Sequence, residues 1–319
     1  MYDSYGQKCN HRFLLNYGFA VEDNRELDGF CPNEVPLEVG VQLNDPLYLA
    51  KMEFWTRGES SLAAHAIAIS SASSSLSIRT PYYIASTPEA SAPPFGHYSS
   101  PSPMKRVRVC VSNNENTRLL FSLLRALACN EQELASITNN ASPEYQSRFP
   151  NDGRSAPFYR SCRDIRHPIS IRNEREAMTL LMELIARVLE GYPTTLAQDV
   201  MDLQDEALLP RFSNKRHAKI QVRGEKEVLH HFLRWARTAL EVMNVIDEEL
   251  KVERGDYIFD EGRASFDYLI REMEQEDHRS GGGGGNSALH HTIVRYCVDV
   301  LGSLRREELK ALKRKLAAY

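Results

Sequence analysis

Residues of a type suited to chemistry fall in four places. His230-His231 and His290-His291 offer imidazoles, but adjacent positions on a helix point about 100° apart and cannot close on one ion as i, i+4 pairs do. Both pairs read as solvated or core-edge histidines. Arg223-Gly224-Glu225-Lys226 lacks the Gly-rich run and the Ser or Thr of a phosphate loop and sits inside helical periodicity. The basic residues Arg305, Arg306, Lys310, Lys313, Arg314 and Lys315 are diluted by Glu307 and Glu308 and carry no interleaved aromatics, so they read as a solvated helix face rather than a nucleic-acid or lipid surface. The fourth place is the N-terminus, where Tyr5-Gly6-Gln7-Lys8-Cys9-Asn10 leads into Phe13-Leu14-Leu15-Asn16-Tyr17-Gly18-Phe19. Aromatics beside glycines suit backbone held close to a flat cavity. They equally suit a tight turn after a short helix over 13–17, with the rings packed on one another.

The elements that must position these residues are helical. Leu119, Leu120, Leu123, Leu124 and Leu127 follow a 3–4 spacing, and a short helix is expected over Glu131 to Ile137. Ala177, Leu180, Leu181, Leu184, Ile185 and Val188 form a wide apolar stripe ended by Gly191. Thr195-Leu196-Ala197-Gln198 has the capping-box pattern, and Pro210 separates that helix from a long one carrying Ala218 to Leu240. A last helix runs from Ala288 to Ala318, and strand-like alternation is confined to short pieces such as Val107 to Val111. The fold class is mostly α. Two stretches interrupt it: a Ser/Pro-rich insertion over about 70–104, expected to be disordered, and the glycine tether 281–285.

Composition narrows the function classes. Lys plus Arg is 39 against Asp plus Glu 43 in 319 residues, and this near balance excludes a polybasic binder as the global reading. Mean hydropathy is −0.44. No apolar run approaches the ~18 residues a membrane span requires. Met1-Tyr2-Asp3-Ser4 lacks the basic-then-apolar order of a signal peptide. The six cysteines form no C-x-x-C pair, which suits reducing cytosol or nucleus, and Cys129 and Cys297 on apolar helix faces read as core. No Ser/His/Asp arrangement with a nucleophile elbow is present.

The string Tyr5-Gly6-x-Lys8-x-Asn10-x-x-Phe13-Leu14-Leu15-x-Tyr17-Gly18-Phe19 resembles the end of the SET domain in one group of protein methyltransferases, that of the Rubisco large-subunit lysine methyltransferases and the actin histidine methyltransferase. The likeness continues in order through Asn44-Asp45-Pro46-Leu47-Tyr48, the helix Leu119 to Leu127, Asn130 to Leu134, Pro168-Ile169-Ser170 and Asn173-Glu174. It ends on Tyr192-Pro193-Thr194-Thr195, Asp199 and Arg223 to Leu229, so that it covers roughly 1–245.

The resemblance implies that Tyr5 is the catalytic tyrosine, which orients the target nitrogen for in-line displacement at the methyl of S-adenosylmethionine. It also implies that Tyr17 and Phe19 line the target channel and the cofactor's edge. Lys8 stands where the histidine-specific relative has arginine, so lysine is the expected target. The helical remainder would be the lobe that holds a protein substrate. The implied organisation is a SET remnant at 1–24, a helical substrate-binding domain at 25–254 and a helical extension at 255–319. In this family the cofactor site is built mainly upstream of the tyrosine motif, and Met1 stands close ahead of Tyr5. The chain is therefore expected to be the C-terminal part of such an enzyme, inactive alone, with Tyr5, Phe13, Leu14 and Phe19 partly exposed for want of sheet partners. The alternative is a non-enzymatic helical interaction module that kept the lobe.

Overall fold

The computed structural model describes residues 8–25, 31–56, 104–111, 114–139, 168–255, 265–280 and 286–317. Tyr5, the glycine run 281–285 and all of the Ser/Pro stretch except Met104 lie outside the described residues. The described chain is mostly helical. It divides into two compact units, one made of Met1–Val35, Cys110–Asn113 and Ser170–Tyr319, the other of Pro36–Val109 and Asn114–Ile169.

In the second unit, strands β1 (Val35–Gly40) and β2 (Met104–Val109) pair into a two-stranded sheet, and β2 packs on helix α3 (Asn114–Ala128). Leu37, Val39, Val107 and Val109 are buried, as period-2 alternation requires. Leu120, Leu123 and Leu124 supply the helical side of this core. Strand β1 was not expected, although Val35, Leu37, Val39 and Val41 alternate; Pro36 obscures the pattern. Asp45 opens helix α2 (Tyr48–Thr56), its Oδ1 accepting the Leu47 N–H at 2.8 Å. The buried Lys51 ammonium donates to Asp45 at 2.7 Å and to the Leu127 carbonyl at 2.5 Å, satisfying a free acceptor in the last turn of α3. Helix α4 (Glu131–Asn139) begins with a reciprocal capping box, in which Asn130 Oδ1 accepts from Glu133 N at 2.9 Å and Glu133 Oε2 accepts from Asn130 N at 3.1 Å.

The other unit contains α1 (Asn10–Tyr17), α5 (Ile171–Glu190), α6 (Leu196–Gln204), α7 (Asn214–Arg254), α8 (Phe266–Ser280), α9 (Asn286–Tyr296), a π-helical segment (Cys297–Leu301) and α10 (Gly302–Leu316). Helix α7 is its spine; its 41 residues extend well past Leu240 because Val242, Met243, Ile246 and Leu250 continue the apolar stripe. Gly255, at φ 82°, ends it in the left-handed conformation. Ser170, Thr195 and Ser213 cap α5, α6 and α7, each accepting a backbone N–H three residues on, at 3.0, 3.2 and 3.2 Å. The Gln198 side chain does not complete the box at Thr195; it donates forward to Asp202 at 2.7 Å. Helix α5 lies along α7, with Ala177, Met178, Leu181 and Ile185 as the sealed face, while Leu184 is half-buried. Helices α8, α9 and α10 also pack on α7. The π segment delivers Gly302 against Phe266, where a Cβ would meet the ring at 3.3 Å.

Candidate functional site

Helix α1 carries the described residues of the N-terminal motif. It ends at Gly18, whose φ of 78° favours glycine and whose N–H donates to the Leu14 carbonyl at 3.1 Å. This left-handed cap turns Phe19 back over the helix, and its ring stacks on Phe13 with centroids 5.3 Å apart. Tyr17 closes the group, 6.1 Å from Phe19 and 6.3 Å from Phe13. Lys8 then reaches across: Nζ donates to the Tyr17 hydroxyl at 3.1 Å and lies 5.2 Å from the ring centroid, within cation–π range. Lys8, Tyr17 and Phe19 therefore meet in one cluster, with Tyr17 45% exposed. Tyr5 lies outside the described residues. Phe13 departs from expectation: it is buried, whereas Leu14 and Phe19 are half-buried.

The burial of Phe13 has a cause, because α1 packs on α7. Asn10 uses its amide like a short strand, accepting from Val21 N at 2.8 Å and donating to Val21 O at 2.9 Å. The segment after it is gripped from α7. Arg216 reaches Glu22 at 2.9 Å, His217 Nδ1 accepts the Ala20 N–H at 3.2 Å, and Arg223 donates to the Glu22 carbonyl at 2.5 Å. Ala20 joins Leu203, Leu209 and Ile220 in a small apolar cluster beneath these bonds. Gly224 stands mid-helix, where glycine costs ~1 kcal/mol relative to alanine. Its reason is Asn33, whose Nδ2 would lie 2.2 Å from an added Cβ. Sequence reading missed Asn33, Arg216 and His217. The one available signal was a glycine inside a strong helical pattern.

The block from Tyr192 to Lys226 forms a second cluster. Lys226 is sealed, its Nζ donating to Asp199 Oδ2 at 2.5 Å, to the Thr194 carbonyl at 2.6 Å and to the Thr194 hydroxyl at 3.0 Å. Asp199 Oδ1 accepts from Thr194 at 2.5 Å and from Lys219 at 3.0 Å. Burial pushes the Asp199 carboxyl up, but hydrogen bonds from Lys226, Thr194 and Lys219 outweigh it and hold the group below its ordinary value. Burial and the hydrogen bond to Glu225, 2.8 Å away, push the Tyr192 phenol up. The Thr194, Lys219 and Lys226 donors all meet acceptors within the block, so it fixes α6 and the turn before it on α7. The resemblance of Arg223 to Lys226 to a phosphate loop ends there, since Lys226 faces a carboxylate inside a helix.

The remaining candidates resolve as structure. His231 is buried against Phe232 and Trp235, its ring nitrogen pushed down to about 4 by burial and then by Arg234. His290 Nε2 sits 3.1 Å from the Met273 carbonyl. Among the described residues no group of His, Cys, Asp and Glu is arranged to hold a metal ion. Arg305 pairs with Glu249 at 2.6 Å and covers the Phe266 ring, and Lys313 pairs with Glu253 at 3.3 Å. Cys129 and Cys297 are buried, and burial pushes the Cys297 thiol up to about 12. No described helix is long and apolar enough to cross a membrane.

A family model described as Rubisco LSMT substrate-binding matches residues 42–229. No curated protein matches the chain. The match begins just after β1 and runs through the capped helices to the Lys226 block, more than half of the sequence. The chain belongs to the Rubisco LSMT substrate-binding family, the substrate-binding lobe of SET-type protein methyltransferases.

Proposed function

We propose that the chain acts within an S-adenosylmethionine-dependent protein-lysine N-methyltransferase, supplying the SET tyrosine, part of the target channel and the lobe that holds the protein substrate. The observation that carries this reading is the meeting of Lys8, Tyr17 and Phe19 around the two ends of α1, in a chain that carries a lobe of the family named above. Tyr5 is the catalytic residue of the proposal. Its hydroxyl accepts a hydrogen bond from the target amine and aims the nitrogen lone pair along the line of attack. Tyr17 and Phe19 wall the channel and exclude water from the amine. Lys8 holds the Tyr17 hydroxyl in place and, by its charge, disfavours entry of a protonated lysine, so the neutral amine is the species admitted.

The Phe13–Phe19 stack makes the Phe19 ring a fixed wall, which suits the edge of a bound S-adenosylmethionine. When bound, that cofactor would supply an electrophilic sulfonium methyl, toward which Tyr5 would aim the lysine nitrogen while Tyr17 and Phe19 keep water away.

The test joins a SET core ahead of residue 1 and compares wild type with Tyr5→Phe. The expected result is a large fall in kcat with KM for the protein substrate nearly unchanged, because the hydroxyl acts chiefly in the transition state. Equal loss in both constants would make Tyr5 structural.

A second reading, a non-enzymatic interaction module, is favoured by apolar side chains left exposed on α6 and in the turn before α7, with Met201 63% and Phe212 91% exposed. It requires that the joined protein bind partner protein yet transfer no methyl group.

A further inference from the structure

One side chain links α7 to the candidate channel residues. Asn33 is buried, and its Oδ1 accepts the Asn10 backbone N–H at 2.9 Å, at the first residue of the helix that carries Tyr17. The same oxygen lies 3.4 Å from Asn24 Nδ2, which in turn donates to the Lys8 carbonyl at 2.8 Å. On its other side the Asn33 amide rests on the bare backbone of Gly224, in the space that a Cβ would fill. A single amide thus touches the start of α1, the residue that fixes the Lys8 backbone, and the middle of α7.

We propose that Asn33 is a positioning residue: seated on Gly224, it sets where Lys8 and α1 stand, and so sets the placement of the Lys8 ammonium over the Tyr17 ring. The meaning of Lys8 and Tyr17 as channel residues rests on the methyltransferase reading above; the coupling itself does not. Two hydrogen bonds to one acceptor have a definite geometry, and a buried amide cannot move toward α1 or away from it without breaking one of them. Gly224 is the permissive partner. Any side chain there would drive Asn33 out of its seat, and α1 and Lys8 with it.

The full chain with lysine ε-carbons selectively labelled gives the readout, Lys8 being assigned by its loss in Lys8→Arg. Its ε-CH2 protons should resonate upfield of exposed lysines because they sit over the Tyr17 ring, and Tyr17→Leu should remove that shift. Asn33→Ala and Gly224→Ala should each remove most of it while the protein still melts cooperatively. Asn33→Asp, which keeps the acceptor for Asn10 and Asn24, should retain it. In the Asn33→Ala/Gly224→Ala double variant the loss should equal that of either single variant, since both act on the same seat. A Lys8 signal unmoved in folded Asn33→Ala, or lost equally in Asn33→Asp, would overturn the proposal. Methyl transfer by the protein joined to a SET core separates the two ideas. A displaced Lys8 with unchanged transfer would keep the coupling and overturn the channel role.

Discussion

Lys226 Nζ lies 2.5 Å from Asp199 Oδ2, and neither side chain reaches solvent. Two charges taken out of water are expensive, and the bonds from Thr194 and Lys219 complete the compensation that makes the pair tolerable. Removing one partner leaves the other buried and uncompensated.

Asp199→Ala and Lys226→Met should therefore each cost about 3–5 kcal/mol in urea unfolding. The double variant should cost clearly less than the sum, because the second change removes the orphaned charge. Additive losses below about 1 kcal/mol each would mean that the pair is solvated in solution.

The sealed face of α5 runs through Leu181 and Ile185 rather than Leu184. Leu181→Ala should cost roughly 3–5 kcal/mol by opening a cavity, and Leu184→Ala about half as much. Equal costs would place the contact with α7 elsewhere on the stripe.

His231 is held neutral, with its pKa lowered from 6.5 to about 4. The unfolded chain takes up a proton first on acidification, so this contribution to stability is complete above about pH 6.5 and is lost as pH falls toward 4. A shift of that size corresponds to about 3 kcal/mol. In His231→Leu the fall in stability over that window should flatten. An unchanged profile would assign the acid sensitivity of that window to another imidazole held below its ordinary value, such as His230, since the loss at Asp199 belongs below about pH 4.

Amides of α1 should exchange slowly, since Phe13 is buried and the Asn10, Arg216, His217 and Arg223 bonds hold the segment to the spine. Rapid exchange across Asn10–Tyr17 would mean that these bonds do not persist.

Much of this fold is legible in the sequence, because helices announce themselves by periodicity and caps. The leucines of α3, the stripe of α5 and the Ser and Thr caps are all local signals. What escapes is long-range. Phe13 reads as exposed because the resemblance leaves it without sheet partners; the helix that carries it packs instead on α7, some two hundred residues on. Strand β1 hides behind one proline. In the candidate site, Lys8, Tyr17 and Phe19 are within twelve residues and their meeting follows from the Gly18 cap. Asn33 and Gly224 are joined only by the fold, and a lone glycine in a helix was their one trace.

The most direct test of the account is labelled methyl transfer from S-adenosylmethionine by the chain joined to a SET core, with the labelled amino acid identified after complete hydrolysis of the protein acceptor. The account predicts label in Nε-methyllysine, abolished by Tyr5→Phe and strongly reduced by Tyr17→Ala. Acceptor protein bound but left unlabelled, or label insensitive to Tyr5, would contradict it.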